Sequence, residues 1–270
     1  MDSFNALINA GLRAIAAAFS WGPPALSLAV FAVLAGSGMI WAFRKTSDQA
    51  KLQAVKRKLY AYLLELRVYS DEPSITWRTQ VSLLRANLRY LGLALRPAVW
   101  IAAPLALLMI HLESFYSRQP LALDSDTVVT MRLRSPVDGA APDLTLPPGV
   151  ELTAPPVRIV SRSEISWRIR PRQAVSGELQ FRLGGQTVSM PIEARRDAHF
   201  IPGRRVNSAL AVLWHPDSPR VAASAVDWID VRYPDSAISV FGLEINWIVW
   251  FLIVAMLAGL ALKKPMKVVL

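Results

Sequence analysis

The chain of 270 residues is 53% hydrophobic and 19% charged, more apolar and less charged than a typical soluble domain, which makes an integral membrane protein the leading class. Its formal net charge of +10 points to an anionic partner or surface. The absence of cysteine excludes a disulfide framework, a thiol nucleophile and a thiolate metal site.

Residues 1–20 place Phe4, Leu7, Ile8, Gly11, Leu12, Ile15 and Phe19 at helical spacing with only Asp2 and Arg13 charged, which predicts an interfacial amphipathic helix. A cleaved signal is the alternative, weakened by the length of the apolar run that follows. Trp21, Gly22, Pro23 and Pro24 break the helix. Residues 25–43 (ALSLAVFAVLAGSGMIWAF) carry no charge and, as a helix, extend about 28 Å, enough to cross a bilayer core. They form the first predicted transmembrane helix.

Residues 44–95 predict a cytoplasmic basic helical hairpin. Leu52, Val55, Leu59, Tyr62, Leu66 and Tyr69 recur with heptad-like spacing, the segment SDEPS breaks the pattern at 70–74, and Trp77, Val81, Leu84, Leu88, Leu91 and Leu95 resume it. Two such seams joined by a short turn imply an antiparallel pair, with Asp71, Glu72 and Pro73 suited to the start of the second arm. Its polar faces carry Lys51, Lys56, Arg57, Lys58, Arg78, Arg85 and Arg89, a partner-binding surface for lipid headgroups, for the phosphates of an RNA-rich particle such as the ribosome, or for protein. Residues 96–112 form the second span, kinked by Pro97 and Pro104.

Residues 117–240 read as an extracytoplasmic β domain. The segments 127–134, 157–160, 165–170, 178–183 and 187–192 concentrate β-formers between turn residues, and many short strands favour an immunoglobulin-like sandwich. In ELQFRLGGQTVSMPI, Leu179, Phe181 and Leu183 are answered by Val188, Met190 and Ile192 across Gly184 and Gly185, while Pro191 marks an edge strand. A second small β unit is expected from about Ala198. Arg158, Arg162, Arg168, Arg170 and Arg172 read as solvent-facing strand residues balanced by neighbouring acids. Residues 245–262 (INWIVWFLIVAMLAGLAL) form the third span, with Trp247 and Trp250 at an interface or against a neighbouring helix, and 263–270 a basic tail.

All seven lysines lie in the hairpin and the tail, whereas residues 113–244 hold fifteen Arg, fifteen Asp or Glu and no Lys. The positive-inside rule then places the hairpin and C-terminus in the cytoplasm, and the N-terminus and β domain outside, in a membrane of bacterial inner type. The fold class expected is an α-helical membrane protein with three spans and a helical hairpin, plus an all-β domain.

A span, the basic hairpin KLQAVKRKLYAYLLELR and RTQVSLLRANLRYLGLALRP, and a second span entered directly from it resemble the YidC/Oxa/Alb insertase superfamily, in particular its small three-span branch. The resemblance covers about residues 25–112 and 245–262. It implies a polar groove, open to cytoplasm and lipid, that helps hydrophilic segments of client membrane proteins to cross without nucleotide or cofactor. The first span lacks the arginine that family places in its groove. Arg96, at the apolar entry of the second span, is the substitute candidate, with Ser37 and Asn246 as milder polar ones. Their alternatives are snorkelling of Arg96 to headgroups and, for Ser37 between Gly36 and Gly38, close helix packing.

No catalytic template is present: His111, His199 and His215 are scattered, and HExxH, G-x-S-x-G and glycine-rich phosphate loops are absent. The expectation is a non-enzymatic insertase or membrane chaperone whose partners are membrane lipids, nascent or client membrane proteins, the ribosome and other membrane-complex subunits. The alternative is a non-catalytic scaffold linking the β domain to a cytoplasmic partner.

Overall fold

The computed structural model describes residues 2–19, 21–69, 71–135, 142–221, 223–240 and 242–268. Ser70 of the predicted break and the last two residues of the predicted tail lie outside the described residues. The protein is a mixed helix and β-sheet chain that divides into a unit of residues 29–106 with 248–270 and a unit of residues 1–28 with 107–247.

Six α-helices occur in the described residues: α1 (Asp2–Ala18), α2 (Pro24–Thr46), α3 (Gln49–Val68), α4 (Pro73–Tyr116), the single turn α5 (Ala211–Trp214) and α6 (Trp247–Lys263). By length and composition, α2 and α4 suffice to cross a membrane. The third predicted span is shorter than expected, because Ile245 belongs to a strand and Asn246 precedes the helix, leaving α6 with 17 residues.

In the first unit, α2 ends on Arg44 and Lys45, cations at the negative end of its dipole. Asp48 then caps α3: its carboxylate accepts the Lys51 backbone N–H at 3.0 Å and pairs with Lys51 Nζ at 2.8 Å. Proline opens α4, where a missing N–H costs little. The helix then runs for 44 residues without a break, so the predicted boundary between hairpin arm and second span does not exist as an element boundary. Pro97 and Pro104 lie inside it, and each removes an N–H, releasing the carbonyls of Leu93 and Trp100 from their intrahelical partners.

The second seam differs from the prediction. Trp77, Leu84, Leu88, Leu91 and Leu95 are 70%, 60%, 60%, 49% and 51% exposed, while Thr79 is buried and Ser82, Leu83, Ala86, Tyr90 and Leu93 are half-buried. The inward face of α4 is therefore mixed, with Thr79, Ser82 and Ala86 beside Leu83, Tyr90 and Leu93. On α3 the prediction holds better: Leu52 and Val55 are buried, Leu59, Tyr62 and Leu66 half-buried, and Tyr69 exposed. At the hairpin base, Ile40, Phe43 and Leu52 form a core with Tyr90, Leu93, Leu262 and Met266. Val268 enters that core, so the predicted tail folds back at least that far. Helices α2 and α6 touch through their backbones, since a Cβ built on Gly36 would lie 2.3 Å from the Ala255 carbonyl oxygen.

In the other unit the strands are β1 (Thr127–Leu133), β2 (Asp143–Thr145), β3 (Val150–Ile159), β4 (Glu164–Pro171), β5 (Ser176–Leu183), β6 (Gln186–Glu193), β7 (Arg204–Val206), β8 (Val226–Val231), β9 (Ile238–Val240) and β10 (Leu243–Ile245). They form sheets ordered β3-β4-β1-β8-β7, β2-β5-β6 and β10-β9. The first two share one core, in which Val129, Met131, Ile165, Trp167 and Ile169 of one meet Leu179, Phe181, Val188, Met190 and Ile192 of the other. Trp167 and Phe181 mark the contact, with ring centroids 5.1 Å apart. The β5–β6 hairpin has the predicted turn, Gly184 and Gly185 both adopting positive φ, and β6 is an edge strand as Pro191 requires. The expected separate β unit after Ala198 is a correction: β7 and β8 extend the five-stranded sheet, because β8 pairs with β1, and only β9 and β10 stand apart. Of the arginine stripe, Arg170 pairs with Asp126, and Arg172 with Asp124 and Glu151.

Helix α1 packs in this same unit. Asn5 Nδ2 donates to the Val212 carbonyl at 3.2 Å, Asn9 Nδ2 to that of Pro216 at 2.8 Å, and the Arg13 guanidinium lies 3.9 Å from the centre of the Phe200 ring. Of its predicted apolar face, Leu12 is buried by this docking, while Phe4 and Leu7 remain exposed.

Candidate functional site

The predicted hairpin surface gathers into a cleft. Lys51, Ala54, Val55, Lys58 and Tyr62 of α3 and Ser82, Arg85, Ala86 and Arg89 of α4 line a cavity of about 330 Å³. The α3 residues recur at i, i+3, i+4, i+7 and i+11 and the α4 residues at i, i+3, i+4 and i+7, so each arm contributes one continuous helical face. Alanine and serine leave the space that leucine would fill, and the long cationic side chains rim it.

Four cations thus converge. Lys51 is already paired with Asp48, whose carboxyl is held below the usual carboxylate range by hydrogen bonds from the Lys51 side chain and backbone. Among the described residues, Lys58, Arg85 and Arg89 pair with no carboxylate. The cleft is suited to an anionic group, with two guanidinium forks able to donate to phosphate or carboxylate oxygens. Lys56 and Arg57 are not among its lining residues.

The groove candidates are not assembled into one polar site. Ser37 Oγ donates to the Val33 carbonyl of its own helix at 2.6 Å, and the neighbouring Gly36 serves helix packing. Arg96 is exposed on α4, one residue before the buried Pro97. Asn246 is exposed and lies between β10 and α6, outside the helix in which the sequence places it. Trp247 is buried at the start of α6, which favours packing over an interfacial position.

Polar residues that the sequence does not assign to a site organise the other unit. Arg118 Nη1 donates to Asp217 Oδ2 at 3.2 Å and to the Ile201 carbonyl at 3.1 Å, and its Nη2 to Glu113 Oε1 at 2.9 Å. Asp217 Oδ2 also accepts the Gly203 N–H at 3.0 Å. A Cβ on Gly203 would lie 2.5 Å from the guanidinium carbon, so glycine admits Arg118 to this position. Asn5 and Asn9 carried a detectable signal, being two amides at i, i+4 in a mainly apolar helix; the Arg118 network had none, its members being dispersed over a hundred residues. Among the described residues no group of three or more His, Asp or Glu is placed to hold a metal ion.

Comparison with known proteins finds no matching family model, no matching curated protein and no matching solved structure.

Proposed function

We propose that the protein is a membrane protein insertase or membrane chaperone that works without nucleotide, with α2, α4 and α6 as its three spans and its β unit, an immunoglobulin-like sandwich, outside the cytoplasm. The observation that carries this reading is the continuity of α4 from the basic hairpin into a long apolar segment with two internal prolines. Such a helix joins a cytoplasmic anion-attracting cleft to a membrane segment with released carbonyls, and those polar groups lower the barrier to a client's hydrophilic segment. The cleft meets ribosomal phosphates or anionic headgroups, and Arg96 sits where α4 becomes apolar. Lys263 and Lys264 close α6 on the cytoplasmic side, consistent with the lysine asymmetry.

In vesicles containing the purified protein, a short-tailed membrane client inserts faster than in empty vesicles, without ATP, and Arg96→Leu slows it while circular dichroism is unchanged. Equal rates with and without protein across several clients would remove the insertase reading. A scaffold that anchors the β unit and docks a cytoplasmic partner is then the remaining one. The backbone contact at Gly36 and Ala255 favours that second reading, because it describes a tightly packed helix pair.

A further inference from the structure

The face of α4 turned away from the hairpin seam is apolar and uncovered. Trp77, Leu84, Leu88, Leu91 and Leu95 are all half or more exposed or nearly so, and half-buried Val81 completes their series. Their spacing of 4, 3, 4, 3 and 4 averages about 3.6 residues, so the six side chains stay within a strip about 80° wide over roughly 27 Å of helix. The buried face, running through Thr79, Ala86, Tyr90 and Leu93, lies about half a turn away. One face therefore packs in the hairpin, and the second is presented.

The strip's width and borders identify its occupant. The strip is narrower than the face of about 100° or more by which a surface helix packs on a globular core, and a strip confined to two heptad positions is the seam of a coiled coil. The flanking positions are polar on both sides, with Gln80 and Asn87 on one and Arg78 and Arg85 on the other. A second copy of the strip would bring no carboxylate to those arginines, since the only acids in residues 44–96 are Asp48, Glu65, Asp71 and Glu72, none within the strip or its flanks.

We infer that this face docks an amphipathic helix of another protein, with leucine-like residues at its heptad core positions and Asp or Glu beside them. The apolar strip supplies the interface and Arg78 and Arg85 select the acidic partner. The inference does not rest on the insertase reading, because peptide docking and client insertion are separate readouts and either can fail alone.

The test uses the full chain in phosphatidylcholine nanodiscs and a fluorescent 28-residue peptide with Leu at the a and d positions and Glu at e and g. Anisotropy should show saturable binding at least tenfold tighter than for the same peptide with Lys at e and g. Leu84→Gln with Leu88→Gln should weaken it at least tenfold, and since both positions are exposed these changes leave the hairpin folded. Arg78→Glu with Arg85→Glu should reverse the preference to the Lys peptide, whereas Lys45→Glu, in the last turn of α2 and outside both strip and cleft, should leave it unchanged. Binding indifferent to the leucine changes, or a preference that survives charge reversal, overturns the inference. Because the chain has no cysteine, Leu88→Cys supplies a unique probe of other occupants. Disulfide-linked dimers without peptide would assign the face to a second copy, and quenching of a fluorophore at that position by brominated lipid would assign it to the membrane. Either result refutes the proposal.

Discussion

Replacing Gly36 by alanine tests how closely α2 and α6 are fitted. The added Cβ would lie 2.3 Å from the Ala255 carbonyl oxygen and 3.1 Å from its Cα and carbonyl carbon. These are backbone atoms and cannot rotate away. Restoring an ordinary contact requires roughly 1 Å of separation between the helices, which loosens every neighbouring contact along the pair. Overpacking of this kind costs about 1–3 kcal/mol. At roughly 2–4 °C per kcal/mol for a chain near this size, the apparent midpoint of helix loss should fall by several degrees when the purified protein is heated in detergent and followed by circular dichroism. Gly38→Ala is the matched control, since a Cβ there meets nothing within 4 Å. It should be neutral or stabilising by up to about 1 kcal/mol through helix propensity. If Gly36→Ala melted at or above wild type, and indistinguishably from Gly38→Ala, the close packing of α2 on α6 would be refuted.

Arg118→Met should destabilise the β unit by about 3–5 kcal/mol, because it leaves Asp217, whose side chain is 2% exposed, as a buried charge without its cation. Thermal unfolding should show much of that loss recovered in the double variant with Asp217→Asn. His215 has its pKa lowered, chiefly by burial, so the unfolded chain binds its proton more readily than the folded one. Stability should therefore fall as pH drops below about 6.5, and His215→Gln should flatten that dependence in denaturant titrations at successive pH values. For topology, an amine reagent that cannot cross membranes should label intact right-side-out cells at the N-terminal amine at most, and the seven lysines only in opened vesicles. Lysine labelling in intact cells would overturn the orientation.

Local signals were read correctly where they were sufficient. The β5–β6 hairpin follows from alternation across a two-glycine turn, and every element of that logic lies within fifteen residues. Pairing of β1 with β8 has no such signal, since just over a hundred residues separate Val129 from Val231 and three other strands of the same sheet intervene. In the hairpin, period alone misled: α4 carries two heptad faces, and the one richer in leucine is the uncovered one. Hydrophobicity ranks Leu84 and Leu88 above Thr79 and Ala86, and the sequence does not reveal which face has a neighbour. The convergence of Lys51, Lys58, Arg85 and Arg89 was legible as a basic surface, not as a cleft, because the space depends on Ala54, Ser82 and Ala86 facing one another across the arms.

The amide hydrogen bonds that seat α1 join residues 207 positions apart. At synthesis rates of about 5–20 residues per second, roughly 10–40 s separate the emergence of Asn9 from that of Pro216. Throughout that interval the two asparagines have no carbonyl to meet, and Arg13 has no ring to cover until Phe200 is made. Helices α2, α3 and α4 are all complete before the docking ledge at Val212 and Pro216 exists. Helix α1 leaves the ribosome ahead of these elements and is consequently among the last to find its place, and a chain interrupted before residue 212 would carry α1 without either of its amide anchors.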